Sequence, residues 1–106
     1  MALISIPFDE EIAYQAAFGM PEGLEIALPD ELNESVWERL SVIKELTYPL
    51  PLIVTFSPAW LEGDLEGVLT RLAVSFVSGI SLKNSFDSPL ISQINLANHL
   101  GLSIIK

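Results

Sequence analysis

Fourteen acids, five bases and a single histidine are what this chain offers for chemistry, and it has no cysteine. Asp9, Glu10 and Glu11 stand in a row. Hard cations prefer carboxylate oxygens, so such a run could hold a divalent ion. Consecutive helical residues point about 100° apart, however, and cannot converge on one ion. Acids in a first helical turn also complement the helix dipole, so the run reads as a helix start. Glu62, Asp64 and Glu66 form a second trio, of which only Glu62 and Glu66 share a helical face, and Gly63 interrupts it. Ser57 and Ser88 could be nucleophiles on strand-to-helix turns. Each is followed at once by proline (Pro58, Pro89), the pattern of an N-cap and first helical residue, and neither lies in a G-x-S-x-G elbow. His99 falls at the far end of the helix that Ser88 would open, with no second histidine at zinc-site spacing. Phosphate-binding glycine motifs are absent from the sequence. These residues assign no catalytic group, no cofactor and no metal.

The elements that would position these groups follow from hydrophobic spacing. Residues 2–8 (ALISIPF) read as a strand, 9–18 as a helix and 19–23 (GMPEG) as a turn. Residues 24–28 (LEIAL) read as a second strand. Over 30–46, Leu32, Val36, Leu40, Ile43 and Leu46 keep helical spacing, and Ser35 with Glu38 fits a capping box. Pro49 and Pro51 close that helix. Residues 52–56 (LIVTF) are an unbroken apolar run, the pattern of a central strand buried on both faces. Gly63-Asp64 restart a helix on which Leu65, Val68, Leu69, Leu72, Ala73, Phe76 and Val77 hold the helical period, with Gly79 as its C-cap. Residues 79–83 (GISLK) make a fourth strand. Ser88-Pro89 open a fourth helix carrying Leu90, Ile91, Ile94 and Ala97, and 102–105 (LSII) make a fifth strand.

Strands alternating with helices imply right-handed crossovers and a parallel sheet. The fold expected is α/β: a three-layer α/β/α sandwich of flavodoxin-like type with a mainly parallel sheet of four or five strands, forming one domain over residues 1–106. In such a sheet ligands gather at the carboxyl ends of the strands, here 9–11, Pro29-Asp30, 57–60, 84–88 and Lys106. The layout loosely resembles a response-regulator receiver domain. Asp9-Glu10 would match its acidic pair, Ser81 or Ser85 its hydroxyl residue and Lys106 its lysine. The third strand ends Val54-Thr55-Phe56-Ser57, without the phosphoacceptor aspartate of that family, and the final helix is missing. The resemblance therefore implies a non-phosphorylated relative at most.

Formal net charge is −9, which argues against nucleic acid and against an anionic membrane surface. The most apolar stretch, 72–82, falls well short of the roughly 20 residues of a membrane span. The opening MALISIPFDEE lacks the basic n-region of a signal peptide, so a cytoplasmic location is expected. Charge is lopsided: residues 1–45 hold ten acids and two bases, and 46–106 hold four and three. Glu31, Glu34, Glu38 and Glu45 recur at helical spacing opposite the Leu/Val stripe. Trp60, in a first helical turn after the third strand, joins them as a residue that would face a partner. The expectation is a small acidic non-catalytic regulatory or interaction domain whose acidic face meets a basic protein. Two alternatives stay open. One is a small enzyme or ligand-binding domain using the strand ends. The other is a structural subunit of a homo-oligomer, with a homodimer contact in the charge-poor region after Gly67.

Overall fold

The computed structural model describes residues 3–57, 59–60, 63–75, 77–82 and 97–105. Five strands alternate with helices in the order β1 (Leu3–Ile6), α1 (Glu10–Phe18), β2 (Gly23–Ile26), α2 (Glu34–Thr47), β3 (Leu52–Thr55), α3 (Leu65–Val74), β4 (Gly79–Ser81) and β5 (Ser103–Ile105). All four pairings are parallel. The α/β class and the five-stranded parallel sheet are those the sequence predicts, consistent with a three-layer flavodoxin-like sandwich, and β3, within the LIVTF run, is the middle strand.

Strand order is 1-2-3-4-5. It differs from the 2-1-3-4-5 order of flavodoxin and receiver folds in one respect, the edge position of β1. Alternation of elements does not carry this information. Helix α1 packs on α2, and Arg71 of α3 reaches Glu34 and Trp37 of α2. Successive units of a (β/α)8 barrel follow one another in this same order.

Paired residues of a parallel ladder share a face, and neighbours along a strand alternate. Ile6, Ile26, Val54, Ile80 and Ile104 are in register and face the helices. The buried members of this row join Ala13 of α1, Val36, Leu40 and Ile43 of α2, Leu69 and Leu72 of α3, and Ala97 in one core. The row beside it, Ser5, Glu25, Ile53, Gly79 and Ser103, points the other way. Ile53 is buried but lies outside the helix-side cluster. The first row is apolar throughout, whereas the second mixes small and polar residues with the buried Ile53.

Several boundaries differ from the sequence reading. The N-cap of α2 is Asn33 rather than Ser35: its side-chain oxygen accepts from the Val36 amide at 3.2 Å, and the Ser35 hydroxyl donates to the same oxygen at 2.7 Å. Helix α3 stops at Val74 with Ser75 as its C-cap. Gly79 is no cap but the buried first residue of β4, where an added Cβ would lie 2.5 Å from the Ser103 carbonyl oxygen. Residues 97–99 are helical, as expected of the end of the fourth helix. Its expected start at Ser88-Pro89 lies outside the described residues.

Candidate functional site

The acidic stripe is built by α2. Asn33 fixes the first turn, and positions 34, 38 and 45 then fall on one side of the helix. Glu34, Glu38 and Glu45 are all exposed. Glu31 is exposed too, but it precedes the cap and so leaves the helical stripe. Glu34 is bound by Arg71 at 3.0 Å, and the same guanidinium lies 5.3 Å from the Trp37 ring centroid. This pairing ties α3 to α2 and neutralises one acid of the stripe. Glu38 and Glu45 make no ion pair with any described residue. A shallow groove of ≈ 430 Å³ runs between the two helices, bordered by Trp37, Glu38, Lys44, Glu45, Arg71 and Val74.

On the other flank of α2 the surface turns apolar. Tyr14 and Phe18 lie one turn apart on α1, their rings tilted with centroids 4.8 Å apart, and both are exposed. Val42 and Leu46 repeat the spacing on α2 and are exposed as well. Met20 and Tyr48, just beyond the ends of the two helices, are exposed as well. The aromatic pair at i and i+4 on the solvent side of a short helix was legible in the sequence. The packing of α1 on α2 was not.

Trp60 does not face a partner. It is 3% exposed and belongs to the core, with its ring edge-on to Phe56 at 5.3 Å. The Trp60 amide donates to the Ser57 carbonyl at 3.0 Å, and this tight turn directs the indole inward. Its Nε1–H has no acceptor among the described residues.

At the strand ends, the acids do structural work. Asp9 caps α1 by accepting from the Ile12 amide at 3.0 Å, and Glu10 pairs with Arg39. Asp64 caps α3 through the Gly67 amide. The Ser57 hydroxyl donates to Asp30 at 3.2 Å and links the ends of β3 and β2. On the second face of the sheet the Ser5 hydroxyl donates to the Glu25 carboxylate at 3.3 Å. His99 is exposed. Among the described residues no three carboxylates or imidazoles converge as a metal site would require. Glu62, Ser85, Ser88 and Lys106 lie outside the described residues.

No known family model matches the chain, and no curated protein matches it. No described helix is long and apolar enough to cross a membrane.

Proposed function

We propose that this chain is a small acidic protein-interaction domain, with no reaction of its own, that holds a basic protein on the outer face of α2. The observation carrying this reading is the exposed row of Glu34, Glu38 and Glu45, of which only Glu34 is neutralised among the described residues. Unpaired carboxylates on one helix face attract a basic surface and raise its rate of encounter. A cytoplasmic location belongs to the same reading. The test compares wild-type protein with the Glu38→Lys/Glu45→Lys variant as affinity baits. A partner held by the wild type should bind the variant about tenfold more weakly, and should weaken as salt rises. A partner that binds both equally would sink the proposal.

A second reading is favoured by Glu25, a carboxylate only 4% exposed on the second face of the sheet, in a row with Ser5 and close to the polar Thr55 and Ser81 row. It makes the chain a ligand-binding domain or small enzyme. Thermal melts with Mg²⁺, Ca²⁺, Zn²⁺ and nucleotides test it, because a ligand of the folded state raises the melting temperature saturably. The homodimer belongs here as well, on a narrower footing than the sequence suggested. Leu69, Leu72, Val77, Ile80 and Leu82 are spent on the core of the single chain, and among the described residues of that region Val74 is the exposed large apolar one.

A further inference from the structure

We propose that the seam between α1 and α2 is the anchor of the interaction face, and that its occupant is an amphipathic helix of a partner protein, apolar along one stripe and flanked by lysine or arginine. This rests on the interaction reading above and names the partner's chemistry. Both helices follow strands of one parallel sheet, so they run in the same direction. The Arg39–Glu10 ion pair sets their relative level, placing the first residue of α1 beside the second turn of α2. On α1, Glu10 faces α2 and Ala13 faces the core. The helical period carries Tyr14 and Phe18 to the solvent flank on the α2 side. On α2, Arg39 faces α1, and the same period puts Val42 and Leu46 on the flank between α1 and solvent. Four apolar side chains therefore share one ridge pair, with exposures of 45% for Tyr14, 71% for Phe18, 46% for Val42 and 39% for Leu46.

Each pair spans about 6 Å along its helix, and packed helices lie about 8–10 Å apart. The patch suits one or two large apolar side chains from one face of a crossing helix, a recurring mode of recognition. Charge selects the occupant. Glu11 borders the patch on α1, and Glu38 and Glu45 border it on α2, all exposed. A second copy of this chain would bring its own acids against these and carries a net charge of −9. A helix with basic flanks brings the complement.

The test titrates a fluorescein-labelled Leu/Lys amphipathic helix of about 18 residues, long enough to form in isolation, and follows anisotropy. Oligolysine of equal length is the control. The Leu/Lys helix should bind saturably. Phe18→Ser/Val42→Ser should weaken it at least tenfold while leaving the far-UV spectrum and melting curve unchanged. Amide shift mapping on the wild type, which needs no variant, should place the peptide over 14–18 and 42–46. Oligolysine binding as tightly as the Leu/Lys helix, or shifts confined elsewhere, would overturn this inference and leave the acidic-face reading standing. Binding unaffected by Glu38→Lys/Glu45→Lys would overturn the acidic-face reading instead. Concentration-dependent self-association lost in Phe18→Ser/Val42→Ser would give the seam to a second copy and overturn the proposal.

Discussion

The Arg39 guanidinium binds Glu10 with Nε 2.6 Å from the carboxylate oxygen, across 29 residues of sequence. The same side chain donates to the Phe8 carbonyl at 3.0 Å and lies 4.5 Å from the Phe8 ring centroid. One residue of α2 thereby holds the end of β1, the first turn of α1 and the level at which the two helices meet.

Replacing Arg39 by methionine keeps most of the aliphatic stem and removes all three contacts. The ion pair is close to half exposed on both sides, so solvent screens it and its share is small. With the cation–π contact and the bond to a backbone carbonyl, the expected loss is about 1–2 kcal/mol, read as a shift of the urea midpoint. A double-mutant cycle with Glu10→Gln should return a coupling below about 1 kcal/mol. A larger coupling would mean that the pair is shielded more than its exposure implies.

The caps give a sharper contrast. Asn33 holds the Val36 amide, whereas Ser35 only supports Asn33. Asn33→Ala should cost about 1 kcal/mol, and Ser35→Ala a few tenths. Both are read from chemical denaturation. The reverse order would restore the capping box that the sequence suggested.

How far the sequence could be read depends on whether the controlling interaction is local. Asp9 and Asp64 are caps where their neighbours suggested helix starts, because capping is decided within three residues. The LIVTF run announced a central strand, because burial on both faces leaves no room for polar residues. Strand order was not legible. It depends on which crossover lies beside which, and β-α alternation is the same for every order. The face of each strand was legible only where polarity alternates, as with Leu24, Glu25 and Ile26. In β3 and β4 both faces are apolar or small, so periodicity is silent there. Trp60 was misplaced because the turn after β3 was read as an ordinary first helical turn, in which a tryptophan can stay outside. The short turn closed by the Ser57 carbonyl sends it into the core.

Gly79 shows what a close approach demands. An alanine there would place its Cβ 2.5 Å from the Ser103 carbonyl oxygen, and backbone cannot step aside as a flexible side chain can. Gly79→Ala should therefore push β5 from β4 and cost about 1–3 kcal/mol, the usual range for overpacking. Amide exchange should rise at Ser103 and at Leu82, whose N–H donates to Ile105, while Val54 in the middle strand keeps its protection. Uniform acceleration across all five strands would contradict a local cause.

Val74 and Leu72 decide how much of the charge-poor region is surface. They are two residues apart on α3, yet Val74 is 67% exposed and Leu72 is sealed in the core. Leu72→Glu buries a carboxylate without a counter-ion, a cost of several kcal/mol and comparable to the whole stability of a small domain, so the variant should not fold. Val74→Glu meets water and should change stability by no more than about 0.5 kcal/mol. The second variant can therefore be read cleanly in sedimentation at high micromolar concentration. If the wild type is a dimer and Val74→Glu is a folded monomer, the contact runs through the outer face of α3. A dimer that survives the substitution rules that face out. A wild type that sediments at 11.6 kDa removes the homodimer altogether and leaves α2 and its flanks as the surface on which partners must be sought.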